Sequence, residues 1–234
     1  MFSVYSLVSF STLFFGYLLF SITLKYVFYA GKRRSGARAS NHWRLVFTNL
    51  LIASCFGFTV TELNVRGYSS LSYESMETYG LFHLLSDISM AVIYENLAEY
   101  YWHRLLHFIP LLYKHFHKIH HFYKSPEPFD DMYIHPLEAT IYYCILYSPP
   151  FLFQIHLYAF VIYMVIMGLC GVLDHSGIPF SIPLLYDTKA HHFHHVKFDV
   201  NYGFPFAYLD SLHGTFYEES IQSSADTGLK MAKS

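Results

Sequence analysis

Three short stretches decide how this chain reads: His103-Arg104-Leu105-Leu106-His107, His117-Lys118-Ile119-His120-His121 and His191-His192-Phe193-His194-His195. With His115 they hold ten of the sixteen histidines. Imidazole is the side chain that most readily binds a transition metal at neutral pH. Residues three and four apart share one face of a helix. His103 and His107 can therefore turn toward one ion, and His117 can pair with both His120 and His121. His191, His194 and His195 repeat that pattern. The spacing gives eight candidate ligands. A mononuclear site uses about three to six, so eight predicts two metals close together. His115 and His192 sit beside these residues but break the spacing, which gives them a supporting or surface role. His42, His83 and His156 are isolated and read as ordinary surface or core residues.

The donor set narrows the metal. The clusters hold no cysteine, which disfavours structural zinc and iron–sulfur centres. Catalytic zinc normally takes three protein ligands and leaves most of these histidines unexplained. A dinuclear iron centre uses them all. It can split dioxygen and attack an unactivated C–H bond, the chemistry required by acyl chains and sterols.

The rest of the chain reads as membrane. It has 234 residues, of which 53% are hydrophobic, 20% aromatic and 14% charged, against about 25% charged in average globular chains. Much of its surface should face lipid. A formal charge of −2 argues against a nucleic-acid partner, which leaves a basic footprint. Cys55, Cys144 and Cys170 are far apart in apolar stretches, so they are expected to be small buried hydrophobes and not a disulfide framework.

Residues 4–30 are long and apolar enough to span a bilayer, and they lack the basic start of a cleavable signal. Lys32, Arg33, Arg34, Arg38 and Arg44 follow, which places this loop in the cytosol by the positive-inside tendency. A second run covers 45–61, and a polar loop from Asn64 to Glu77 fits the lumenal side. A third run from Tyr79 to about Leu97 returns, with Asp87 and Glu95 expected to face the protein interior. It would continue as the helix carrying His103 and His107. Pro126, Pro128 and Pro136 mark a connecting loop. The stretch 139–173, broken at Pro149-Pro150, reads as a hairpin of two short crossings or a re-entrant pair. Both histidine clusters then face the same side, the cytosol. The expected class is all-α: a membrane helical bundle with a cytosolic histidine-rich cap. Residues 1–94 form the N-terminal membrane part, 95–217 the catalytic region and 218–234 a polar tail.

These residues are similar to the fatty acid hydroxylase superfamily of membrane non-haem di-iron enzymes, whose members include sterol desaturases and 4-methyl-sterol oxidases. The family's HxxxH, HxxHH and late HxxHH match at His103/His107, His117/His120/His121 and His191/His194/His195. Tyr113-Lys114, Tyr133-Ile134-His135-Pro136-Leu137-Glu138, Asp174-His175-Ser176-Gly177 and Asn201-Tyr202-Gly203 match as flanking words. The resemblance covers about Glu95 to Phe216. It implies that His175 is a ninth ligand and that His135 and Asp174 stand behind the ligands. Glu95 and Glu99 could orient imidazoles by accepting their second N–H; as acids on the helix surface at the membrane edge they read equally well. One departure is Leu209-Asp210-Ser211, where many members carry Trp-Asp-Arg, although the aspartate and the following Gly214-Thr215 persist. The chain is also shorter than many members, mostly at its N-terminus.

The resemblance implies a membrane-bound oxygenase of the endoplasmic reticulum that hydroxylates or desaturates a sterol or other lipid. Its cofactor would be two iron ions and its oxidant dioxygen. No GxGxxG and no fused-cytochrome word is present, so electrons come from partners, which the family implies are a small b-type cytochrome and its NADH-linked reductase. The other classes are a zinc-dependent membrane hydrolase, a metal-binding transporter, and a non-catalytic relative acting in lipid regulation.

Overall fold

The computed structural model describes residues 1–31, 37–183 and 185–218. Lys32, Arg33 and Arg34, on which the expected orientation rests, lie outside the described residues, as does the tail beyond Glu218.

The chain runs α1 (Val4–Tyr29), α2 (His42–Val65), β1 (Leu71–Ser72), α3 (Met76–Phe108) and α4 (Pro110–His115). Two 3-10 helices follow, His117–Phe122 and Asp130–Met132. Next come α5 (Pro136–Tyr147), α6 (Pro149–Leu152), β2 (Ile155–His156) and α7 (Leu157–Asp174). The fold closes with β3 (Ser181–Ile182), β4 (Tyr186–Asp187), α8 (Thr188–Lys197) and α9 (Tyr208–His213). It is an all-α membrane bundle carrying a cluster of histidines. Among the described residues, α1, α2 and α7 are long and apolar enough to cross a membrane. Their outward side chains are bulky and apolar: Phe15, Leu19 and Ile22 on α1, and Val161, Val165 and Leu169 on α7. Patches of this kind on a soluble monomer are rare.

The third expected crossing is less simple. α3 is 33 residues long, about 50 Å, against roughly 30 Å of bilayer hydrocarbon. It is not among the three apolar spans, because acids interrupt it. Those acids point inward, with Asp87 8% and Glu95 0% exposed. Asp87 accepts hydrogen bonds from Tyr79 (2.6 Å) and from the backbone of His156 at the start of α7 (2.8 Å). The expected hairpin has unequal arms. α5 has 12 residues, about 18 Å and too short to cross, whereas α7 has 18, about 27 Å. Pro149 and Pro150 open α6, where proline is tolerated because the first helical N–H groups have no intrahelical partner. The turn between the arms is stitched to the α2–α3 loop: β1 pairs with β2 in parallel, and the Ser70 N–H donates to the Pro150 carbonyl at 2.8 Å. Both histidine-bearing segments therefore emerge at the opposite end.

Lipid supplies little hydrophobic drive between helices, so packing and polar contacts hold them. Ala53, Ala91, Ala139 and Ala159 are buried where helices meet. Gly57 lets α1 approach α2 closely: a Cβ there would lie 2.1 Å from Leu13 Cδ1. Glu62 accepts from the Ser3 N–H (2.9 Å) and the Ser6 hydroxyl (2.7 Å). At the histidine end α1 is held by Lys25 against Glu127 and by the Tyr17 hydroxyl donating to Asp131 at 2.7 Å. The amide of Asn49 on α2 donates to the Met132 and Ile134 carbonyls at 2.9 and 2.8 Å. The cysteines correct the expectation of burial. Cys55 and Cys144 are exposed on the outer surface and Cys170 is half-buried, because outward positions on these helices accept any apolar side chain.

Candidate metal centre

Four segments converge on one place. The last two turns of α3 bring His103 and His107, and the 3-10 helix after α4 brings His117, His120 and His121. His175 follows α7 directly, and α8 brings His191, His194 and His195. Each segment starts under local control. Pro110 opens α4 and Pro136 opens α5 at the N-terminal position that favours proline. Asp187 caps α8, its carboxylate accepting from the Lys189 N–H at 2.8 Å.

The nine imidazoles form two groups, His103, His107, His117, His121 and His194 in one and His120, His175, His191 and His195 in the other. Within each group the facing nitrogens all lie within 4.8 Å of one another. The spacing of the motifs did not anticipate how they divide. Each HxxHH box sends its first and last histidines to one group and its middle one to the other. His117 and His121 join the HxxxH pair, with His120 opposite. His191 and His195 join His120, with His194 opposite. The second box is a 3-10 helix and not an α-helix, so His117 and His120 lie one above the other, ring centroids 5.3 Å apart, and reach adjacent groups.

The hydrogen bonds show what the nitrogens can do. Nδ1 of His103 faces the Tyr202 carbonyl (3.0 Å), that of His194 the Val200 carbonyl (2.7 Å) and that of His175 the Gly171 carbonyl (2.9 Å). A carbonyl only accepts, so these Nδ1 atoms carry the proton and Nε2 of each neutral ring is a bare lone pair. His117 Nδ1 donates to Glu138 Oε1 at 2.5 Å, which leaves its Nε2 bare as well. His103 Nε2 nevertheless lies 3.1 Å from His117 Nε2. His121 Nε2 lies 3.1, 3.0 and 3.1 Å from those of His107, His117 and His194. In the other group, His175 is 3.0 Å from His120 and 2.9 Å from His191, and His191 is 3.2 Å from His195. The lone pairs of His103 and His117, facing each other at 3.1 Å, repel unless a cation sits between them.

The separations also indicate the shape of the shell. With metal–nitrogen bonds of about 2.1 Å, ligands at right angles stand roughly 3.0 Å apart and tetrahedral ones roughly 3.4 Å. The observed 2.9–3.2 Å match the right-angled arrangement. Protonation does not compete. Burial, with neighbouring imidazoles behind it, holds His117, His120, His121, His191, His194 and His195 well below the usual range. Burial likewise lowers His103 and His175 to about 4 and His107 to about 2. The residues present therefore fit two cations.

The candidate supporting residues take different places. Glu95 is fully buried and Glu99 lines a cavity, and no hydrogen bond joins either to a histidine among the described residues. His135 caps α5, accepting from the Leu137 N–H at 3.2 Å, and packs on Phe116. Asp174 accepts from the Tyr186 hydroxyl at 2.6 Å, which ties the end of α7, next to His175, to the strand leading into α8. His115 is exposed and His192 half-buried, both outside the two groups. The carboxylate that holds a histidine is Glu138, which sequence reasoning quoted only as part of a word. An acid opening the apolar run of α5 was the available signal. Residues 200–202 supply two further acceptors. That loop is clamped by Asp210, which accepts from the N–H groups of Tyr202 and Gly203 (2.8 Å each) and from the Thr215 hydroxyl (2.7 Å). Asp210 and Thr215 thus fix the loop that holds His103 and His194.

A cavity of about 970 Å³ opens beneath the groups. His103, His117, His120, His175 and His191 form its floor, and its walls come from α1, α2, α5 and α7, with Leu13, Leu146, Phe160 and Met164 among them. Its size is at the upper end of ligand pockets, roughly 300–1,000 Å³.

A sequence profile described as fatty acid hydroxylase matches residues 88–215. The chain belongs to this family. The match takes in all nine histidines and Glu138. Among similar family members, human lathosterol oxidase is 32% identical over 163 residues, covering 68% of this chain and 54% of its own. The Delta(7)-sterol 5(6)-desaturase ERG3A of Gibberella zeae is 31% identical over 155 residues, covering 66% and 44%. That of Leptosphaeria maculans is 30% identical over 177 residues, covering 72% and 49%. The chain spans about half the length of the curated relatives it matches. No solved structure matches it.

Proposed function

We propose that this protein is a membrane-bound di-iron oxygenase that hydroxylates or desaturates a sterol or other lipid. The observation that carries the reading is the cavity: an apolar space whose floor is made of histidines from both groups. Two of the relatives' names, lathosterol oxidase and Delta(7)-sterol 5(6)-desaturase, support a sterol as substrate.

His103, His107, His117, His121 and His194 would hold one iron, and His120, His175, His191 and His195 the other. Bound iron supplies the means to use dioxygen against an unactivated C–H bond. In hydroxylation, the lipid, O₂, two electrons and two protons give the alcohol and water; in desaturation the same inputs give the alkene and two waters. The chain's own part is to keep the imidazoles neutral and aimed, through the carbonyls of Tyr202, Val200 and Gly171 and the carboxylate of Glu138. The apolar walls exclude water and hold the lipid's body against the floor. Electrons would come from a small b-type cytochrome and its NADH-linked reductase, with the histidine end facing the cytosol of the endoplasmic reticulum membrane.

The right-angled nitrogen spacing and the nine donors favour this reading over a three-ligand tetrahedral zinc hydrolase. The test is a lipid profile of cells lacking the gene, restored with wild type or with His120→Ala. A sterol or lipid product that returns with wild type alone supports the reading. Restoration by both argues for a non-catalytic role.

A further inference from the structure

The cavity is not apolar throughout. Glu99 and Glu138 line it beside His103, His117 and His120. Glu99 stands four residues before His103 on α3, so both side chains share a face. Its Oε2 is buried and makes no hydrogen bond. Glu138 is 4% exposed. Its Oε1 is taken by His117, while Oε2 is buried without a partner. Buried acceptors left unmade are costly. His103 and His117 offer no donor, because their Nδ1 protons are already taken and their facing nitrogens are bare lone pairs. A nearby cation balances a carboxylate's charge but supplies no hydrogen bond. Glu95, one turn further back, is more deeply buried and faces the Glu99 carboxyl, but it does not line the cavity, so no ligand reaches it.

We propose that Glu99, with Glu138 beside it, forms a subsite that accepts a hydrogen bond from the hydroxyl group of the lipid. The inference rests on reading the cavity as the substrate site. It commits the lipid class to one bearing a hydroxyl and fixes its direction, with the hydroxyl end at the histidines and the apolar body along Phe160 and Met164. The carbon oxidised then lies within a few bonds of the hydroxyl and not at the far end of the chain or side chain. A rival acceptor exists: Asn64 Oδ1, buried and unpartnered, at the cavity end formed by the last turn of α2. A carboxylate is the stronger acceptor, and Asn64 brings donors of its own.

The test is binding to the purified, iron-loaded full-length protein, followed by fluorescence of Trp102, which lines the cavity. The probes are 5α-cholestan-3β-ol and 5α-cholestane, one skeleton with and without the hydroxyl. Wild type should bind the alcohol about tenfold more tightly, as expected for one buried hydrogen bond. Glu99→Leu should bring the ratio close to one, with the hydrocarbon's affinity unchanged. Glu99→Gln, which keeps the shape and a weaker acceptor, should retain part of the preference, and it decides the matter if Glu99→Leu loses its iron. Equal binding of both probes by wild type would overturn the proposal. So would an unchanged ratio in Glu99→Leu, or loss of the preference in Asn64→Leu alone. The ratio is read without turnover, so a protein that binds the alcohol selectively but forms no product contradicts the oxygenase reading and not this one.

Discussion

His120 and His121 are neighbours in the chain, yet their imidazoles enter different groups. His121 Nε2 faces His107, His117 and His194, whereas His120 Nε2 faces His175. The second HxxHH box is thus shared between two sites, and α8 mirrors it from the other side. Removing one histidine should injure one site more than the other.

His120→Ala leaves three donors in its group, and His121→Ala leaves four in the other. Both variants should fall from about two tightly held metals per chain toward one under a chelator. His120→Ala should release its metal at the lower chelator concentration. Identical release curves for the two variants would contradict the division into five and four.

Glu138→Ala should weaken metal binding roughly 10- to 100-fold, the usual effect of losing the acceptor behind a ligating histidine. That range corresponds to about 1.4–2.7 kcal/mol. Glu138→Gln keeps an acceptor and should lose less. Competition titration against a chelator of known affinity measures both. A Glu138→Ala protein with wild-type affinity removes Glu138 from the site.

Acid should destabilise the metal-free protein through its buried histidines. His103 and His175 are lowered to about 4 in the fold, against about 6.5 in an unfolded chain. Between those values the unfolded state binds more protons, so stability is full above about pH 6.5 and falls as pH drops toward 4. Each such histidine contributes a slope of about 1.4 kcal/mol per pH unit. Thermal unfolding of chelator-treated protein should show a lower Tm at pH 5 than at pH 7, and a flat profile would contradict the buried neutral imidazoles.

Two residues that touch no ligand should still matter. Asp210→Ala releases the loop whose carbonyls hold His103 and His194, so metal affinity should drop without loss of any donor. Gly177 adopts φ +66°, and a Cβ there would lie 2.6 Å from the Pro126 carbonyl oxygen and 2.5 Å from the Tyr29 hydroxyl. Gly177→Ala should cost about 1–3 kcal/mol of stability and displace His175, two residues away. Denaturant unfolding and metal content report the two effects separately.

The legible parts of this molecule were those written in local spacing. His103 and His107, four apart on a helix, declared a shared face, and Asp87 and Glu95, stranded in an apolar run, declared an inward one. The proline pair at 149–150 marked the hairpin turn. What stayed hidden depends on contacts distant in sequence. Nothing local says that His194 crosses to meet His121, 73 positions earlier, that Glu138 turns to His117, or that backbone carbonyls of 200–202 serve as acceptors. The outward cysteines were misread because apolar surroundings look the same in sequence whether they are protein or lipid.

The most direct test of the central claim is the metal content of the purified full-length protein, by elemental analysis after expression with iron supplied. Two adjacent right-angled groups of histidine predict about two irons per chain. A single zinc per chain with no iron would contradict the account.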